Sequence, residues 1–274
     1  MAGEAEDTKQ ALLYEGVPLS HHRRRPCDCR RLCSCVCAAC SALLLYGAFS
    51  VRFAERPGLR VRQLLQPLQW AMVGSNTYHR RGYEIVSIPP SIHGKLEELV
   101  VDGQSRISFG GVNEPLEDSI IFGRSERIYM TSTLQAEVVA AFRPLVAQFC
   151  QCELEAHAVV GSGGVRVYKH GATLAPHLDW AHKFVVSATL NVKQSANRSR
   201  WPLQMQAIGR KPHAVVHAEG EAVLYEGSRM LHGRPTPLPD DLYAAAFVGF
   251  VPKNYPTGTG LLNSIFVSLV RRFS

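Results

Sequence analysis

Residues 168–180 read YKHGATLAPHLDW, and residues 220–238 read GEAVLYEGSRMLHGRPTPL. The first stretch ends in His177-Leu178-Asp179. Residues i and i+2 on an extended backbone point to the same side. His177 and Asp179 can therefore grip one ion together, and His232 joins them from 53 residues beyond Asp179. Two imidazoles and one carboxylate on one face of an ion leave three positions open. That set suits non-haem Fe(II), where a co-substrate and O2 must both bind. Arg234 lies two residues after His232, so on extended backbone it faces the same way. A guanidinium there can hold a carboxylate bidentately.

The segments around these stretches are short β-type runs broken by Gly, Pro and Asn. Strands are expected near Ala158–Tyr168, Lys183–Val192, Leu203–Ile208, Ala214–His217, Ala222–Tyr225 and Tyr243–Val251, as in a sandwich or barrel. Before them, GYEIVSIP (82–89) reads as a strand stopped by prolines, and Ser91–Val101 has helix character. Residues 102–130 read as loop-rich. Leu134–Phe149 reads as a stronger helix, with Ser132 and Gln135 as a capping box. The fold class is α+β, mainly β, with helices leading and strands following.

Four segments together resemble the prolyl 4-hydroxylase-like Fe(II)/2-oxoglutarate dioxygenases. They are Tyr168-Lys169-His170-Gly171 with Pro176-His177-Leu178-Asp179, then WPL at 201–203, GEAVLYEGSRMLHGRPTPL at 220–238 and YAAAFVGFVP at 243–252. The resemblance covers residues 82–252. It implies a double-stranded β-helix (jelly-roll) core with N-terminal supporting helices. It also implies Fe(II) held by His177, Asp179 and His232, with 2-oxoglutarate and O2 as co-substrates and ascorbate as a candidate reductant. Succinate and CO2 are the implied co-products of hydroxylation at a C–H bond, probed most naturally on a peptidyl, prolyl-like substrate. Asp179 stands where halogenating relatives carry a small residue, which implies hydroxylation. Tyr168 matches the family's co-substrate tyrosine. Arg234, with Arg166 as second candidate, is expected at the far carboxylate of 2-oxoglutarate, helped by Thr189 and Asn191. One departure stands out: the family's basic residue about ten positions after the distal histidine is here Leu242. Other readings are an oxygenase acting on a lipid or small metabolite, and a non-catalytic β-barrel binding module. His170, His182, His213 and His217 read as ordinary core or surface histidines, and Trp180 and Tyr225 as packing residues, with Trp180 beside Asp179 also placed to line a substrate entrance.

The chain has 274 residues and a net charge of +7. The excess is +4 over residues 1–62 and +3 over the remainder, so the body is nearly balanced and nucleic-acid binding gains no support. Six of the eight cysteines lie between Cys27 and Cys40. A disulfide-stapled fold would spread them. The cluster reads as apolar filling or as palmitoylation sites, with zinc binding disfavoured because clean C-x-x-C pairs are missing. Residues 1–31 form a polar, then basic tail. Residues 32–51, LCSCVCAACSALLLYGAFSV, carry no charge. As a helix they would span about 30 Å, the thickness of a bilayer core. A single-pass membrane anchor is expected there, and residues 52–81 read as a stem. Five arginines precede the span closely and four follow it. That places the N-terminus in the cytosol and the catalytic domain in the lumen of the endoplasmic reticulum or Golgi. Residues 253–274 read as a linker and a C-terminal amphipathic helix.

Overall fold

The computed structural model describes Gln66, Gln69 and residues 78–103, 106–109, 119–181, 183–195, 200–207, 210–253 and 255. The expected membrane anchor (32–51), the cysteine cluster, most of the stem and the C-terminal helix lie outside the described residues. Among the described residues, no helix is long and apolar enough to cross a membrane.

Two antiparallel sheets carry the fold. The chain runs β1 (Tyr83–Ser87), α1 (Pro90–Asp102), β2 (Arg106–Phe109), β3 (Ile121–Phe122), β4 (Ser125–Tyr129), α2 (Ser132–Cys150) and β5 (Leu154–Lys169). It continues through β6 (Thr173–His177), β7 (Val186–Gln194), β8 (Leu203–Gln206), β9 (His213–Val215), β10 (Glu221–Tyr225), β11 (Leu231–Arg234) and β12 (Leu242–Pro252). The larger sheet has the order β1-β10-β7-β12-β5-β4-β2, and the smaller has β3-β6-β11-β8-β9. From β5 to β12 the chain crosses repeatedly between the sheets, and β6 meets β11 across the whole length of the motif. This is the double-stranded β-helix, or jelly roll, that the sequence led us to expect.

Strict alternation decides what each face of the larger sheet does. Val165 and Val167 of β5, Val186, Ala188, Leu190 and Val192 of β7, and Ala244, Ala246, Val248 and Phe250 of β12 belong to the main core. The helices cover that face with Leu96 and Val100 of α1 and Val138, Phe142 and Val146 of α2. Residues of opposite parity, such as Arg166, Tyr168, Thr189, Ala245 and Phe247, line a cavity between the sheets.

Several local expectations are corrected. The cap of α2 is Thr131, whose hydroxyl accepts from Leu134 N at 3.2 Å. Gln135 reaches Met130 O instead of closing a box on Ser132. The span 102–130 holds three strands, because β4 (SERIY) hides its ladder behind charges. Its Glu126 is buried and pairs with Arg124 at 2.9 Å. The strand expected from Lys183 begins at Val186, since Lys183 N and Phe184 N both close a turn onto Trp180 O. The strand expected over Ala214–His217 is His213–Val215. The strands β6 and β11, implied by the i, i+2 spacing and by the resemblance, are missing from the strands read from residue propensity, as each contains a punctuating residue, Pro176 or Gly233. A Cβ at Gly233 would fall 2.8 Å from Leu174 O and from Pro176, so the close approach of β6 and β11 requires glycine there. Cys150 and Cys152 are joined by a disulfide just past α2, a bridge so short in sequence that it constrains only a local turn.

Candidate metal centre

The centre is built from the edges of two neighbouring strands. His177 ends β6 and is the register partner of His232 in β11. Their rings lie 4.3 Å apart between centroids. Asp179 sits beyond the end of β6, not within a strand as the i, i+2 argument assumed, yet it reaches the same side. Its Oδ1 lies 3.6 Å from Nε2 of His177 and 3.6 Å from Nε2 of His232. One ligand atom from each residue falls within 4.8 Å of the others, and all three residues are buried.

Backbone carbonyls fix the tautomers. Nδ1 of His177 is 3.0 Å from Ala175 O, and Nδ1 of His232 is 2.7 Å from Met230 O. A carbonyl only accepts, so both Nδ1 atoms carry the proton and both Nε2 lone pairs face the centre. A carbonyl bond of this kind fixes the ring orientation of a histidine that faces a metal. The other carboxylate oxygen is also assigned. Asp179 Oδ2 accepts from Tyr225 OH at 3.1 Å and from Ser187 Oγ at 3.4 Å, leaving Oδ1 toward the histidines. Burial would raise the Asp179 carboxyl, but the imidazoles of His232 and His177 beside it outweigh burial and hold it well below the carboxylate range. Burial, followed by the Asp179 charge, pushes the Tyr225 phenol well up, so it stays a donor.

Gly227 makes room for this carboxylate. A Cβ there would stand 2.2 Å from Asp179 Oδ2 and 2.8 Å from Ser187 Oγ. Gly227→Ala is expected to leave a folded protein whose divalent-metal affinity falls by about 10–100-fold. Calorimetric titration with Mn(II) or Co(II) reads this directly. An unchanged affinity would mean that the carboxylate has slack the packing does not suggest.

Arg234 lies in the same cavity as the three ligands, together with Arg166, Tyr168 and Thr189. Its Nη2 donates to Tyr243 OH at 2.7 Å, and its Nη1 donates to Trp201 O. The guanidinium stacks 4.8 Å from the Trp201 ring and 4.5 Å from the Tyr243 ring. An arginine has five N–H donors, so three remain after these two bonds. Asn191, expected beside Thr189, is absent from the lining. Its amide donates to His217 O at 3.2 Å and to Gln194 Oε1 at 3.1 Å, holding a neighbouring turn.

Those contacts expose a network the sequence reading passed over. The Tyr243 oxygen accepts from Arg234 and lies 3.1 Å from His217 Nε2, a hydrogen bond that a neutral imidazole accepts or donates according to its tautomer. Burial and the charge of Arg234 push the His217 pKa down from 6.5 to about 3. The folded value is depressed for a base, so this contribution is complete above pH 6.5. It is lost as pH falls from 6.5 toward 3, where only the unfolded chain takes up the proton. The loss is on the order of 4 kcal/mol across the window. Urea unfolding between pH 4 and 7 should show a flatter stability slope for His217→Gln than for the wild type. Equal slopes would remove His217 from this role. The signal available in the sequence was parity: Tyr243 alternates with the core residues Ala244 and Ala246, which turns its polar tip inward.

The apolar part of the cavity lining includes Ile120, Ile121, Trp180, Phe184, Leu203 and Phe247. Beside it β5 carries the bulge Gly161-Ser162-Gly163-Gly164, opposite Phe247 alone in the register with β12. Ser162 has φ 57°, a left-handed conformation uncommon outside glycine. Trp180 thus lines the cavity, and Tyr225, expected as packing only, contacts the carboxylate.

The fold and the site together define a double-stranded β-helix protein with a two-histidine, one-carboxylate centre. No protein-family model matches the chain, and no curated protein matches it. Among solved structures it is similar to a prolyl-4-hydroxylase from Pseudomonas putida, with 17% identity and a TM-score of 0.46 over 63% of this chain and 94% of that one. It is similar to a Trichoplax adhaerens prolyl hydroxylase in complex with a hypoxia inducible factor peptide fragment, with 12% identity and a TM-score of 0.47 over 71% and 94%. It is also similar to HygX from Streptomyces hygroscopicus, bound to nickel, 2-oxoglutarate and hygromycin B. There the identity is 11% and the TM-score 0.44, over 63% and 84%.

Proposed function

We propose that the chain is an Fe(II)- and 2-oxoglutarate-dependent dioxygenase that hydroxylates a C–H bond of a peptidyl, prolyl-like substrate. The observation that carries this reading is the sharing of one cavity by His177, Asp179, His232 and the stacked guanidinium of Arg234. The donor set fits Fe(II): two neutral imidazole nitrogens and one carboxylate oxygen on one face, with the opposite face open to the cavity. Iron bound there supplies activation of O2, coupled to oxidative decarboxylation of 2-oxoglutarate to succinate and CO2.

The protein's own part is positional. His177 and His232 present Nε2 with their tautomers fixed, and Asp179 presents Oδ1. Arg234 takes the far carboxylate of 2-oxoglutarate with its remaining donors, which replaces the basic residue missing at Leu242. Tyr168 offers its hydroxyl to the same carboxylate, and Thr189 lines the same cavity. Trp180, Phe184 and Phe247 keep water from the reacting end.

The single-pass arrangement stays part of the proposal, with residues 32–51 as anchor and the catalytic domain in the lumen of the endoplasmic reticulum or Golgi. The Cys150–Cys152 bridge supports it, since disulfides persist in oxidising compartments. The test of the activity is succinate formation by the purified chain with Fe(II), 2-oxoglutarate, ascorbate and O2, alone and with proline-rich peptides. Turnover that peptides stimulate supports the reading. Stimulation by lipids or small metabolites alone would move the substrate class. A folded, iron-loaded chain that neither binds 2-oxoglutarate nor forms succinate would be a binding module.

A further inference from the structure

We propose that Gln69 is a positioning residue of the metal centre, which fixes the carboxylate ligand by holding the peptide carbonyl of Asp179. The inference rests on the metal reading above and adds to it a part supplied by the segment that precedes the β-sandwich.

Asp179 needs such a hold because it stands past the last residue of β6, where no ladder bond secures its peptide groups. Its N–H donates to Gly227 O at 2.9 Å. Its carbonyl accepts from Gln69 Nε2 at 2.6 Å, and the same Nε2 lies 3.3 Å from Ser228 O. Both acceptors are carbonyls, so the amide can present only its nitrogen to them. Gln69 therefore ties Asp179 to the turn that follows β10. That turn also supplies Gly227 beneath the carboxylate, and Tyr225 at the end of β10 bonds to Oδ2.

The same turn is gripped a second time by the same segment. Glu226 is 1% exposed. Its Oε1 accepts from the backbone N–H groups of Tyr78 and His79, each at 2.9 Å, and its Oε2 accepts from Arg229 at 2.7 Å. Chain entering the domain is thus fastened to the ligand loop at two points.

Stability alone does not account for an amide at position 69. Gln69 is 2% exposed, and its Oε1 has no partner among the described residues. Burying an amide oxygen unsatisfied is unfavourable, and a leucine of similar size would avoid it. What glutamine does there that leucine cannot is donate to Asp179 O and Ser228 O.

The test uses the full chain, with Co(II) as a spectroscopic probe, in the wild type, Gln69→Leu, Gln69→Asn and His177→Ala. We expect Gln69→Leu to bind Co(II) about 10–100-fold more weakly, the range for loss of an outer-shell partner, with a changed visible absorption band. Gln69→Asn, one methylene short, should fall between. A merely structural role would lower the melting temperature of the metal-free chain and leave the Co(II) spectrum of the bound form as it is. Affinity within twofold of wild type, with an unchanged spectrum, would overturn the proposal. Should Gln69→Leu fail to fold, the same criterion applies to Gln69→Asn. Wild-type binding that His177→Ala leaves untouched would instead overturn the metal reading on which the proposal stands.

Discussion

Succinate formation is expected to fall by more than about 100-fold when His232 is replaced by alanine, since losing an outer-shell partner of a metal ligand already lowers activity 10–100-fold. The size of the effect follows from the centre's economy. The centre offers three candidate protein ligands, and each Nε2 stands 3.6 Å from the single oxygen Asp179 Oδ1. Removing one imidazole leaves a two-ligand site and a cavity where the ring had packed 4.6 Å from Tyr225. His177→Ala should match it, because the two histidines are register partners with the same carbonyl-locked geometry. Both variants should remain folded by circular dichroism, as the main core lies on the other face of the larger sheet. A His232→Ala protein that keeps a tenth or more of wild-type turnover would dismiss the three residues as the reacting centre.

Arg234→Ala should act differently, through co-substrate binding. Two charge-assisted hydrogen bonds to a carboxylate contribute about 3 kcal/mol or more together. The concentration of 2-oxoglutarate needed for half-maximal turnover should therefore rise by about 100-fold, with metal affinity close to wild type. The variant also strips a guanidinium from between Trp201 and Tyr243, so a lower melting temperature is expected alongside. Arg234→Lys separates the two effects. It restores charge but neither the stacking nor the fork that bonds Trp201 O and Tyr243 OH. An unchanged 2-oxoglutarate requirement in Arg234→Ala would pass the anchoring role to Arg166, the other arginine in the cavity.

The three residues of the candidate centre could be picked out in the sequence because that needs only two local facts, the i, i+2 pair and a distant histidine. The partners of those ligands could not. Tyr225, Ser187 and Gly227 reach Asp179 through strand pairings and turns that a linear pattern does not encode. Gln69 lies in a stretch whose composition suggests nothing beyond a connector. His217 looked ordinary because its significance arises only when Tyr243 and Arg234 are brought beside it. The strands β6 and β11 escaped for a related reason: Pro176 and Gly233 lower strand propensity, and the sheet overrides that propensity through long-range pairing. The charged β4 was missed likewise, since Glu126 becomes tolerable in a sheet only once Arg124 and Lys169 have been assembled around it.

The pairing of β6 with β11 has a consequence in time as well as in space. A chain leaving the ribosome presents His177 and Asp179 well before His232 has been made, and domains form from the N-terminal side as synthesis proceeds. The third candidate ligand arrives only when β11 inserts between β6 and β8, a pairing that reaches from His177 to His232 along the chain. Until then a nascent chain offers a metal only a weak two-point foothold. On the proposed metal reading, loading would follow closure of the sandwich, and a redox-active ion would be taken up only by a molecule already able to shield it.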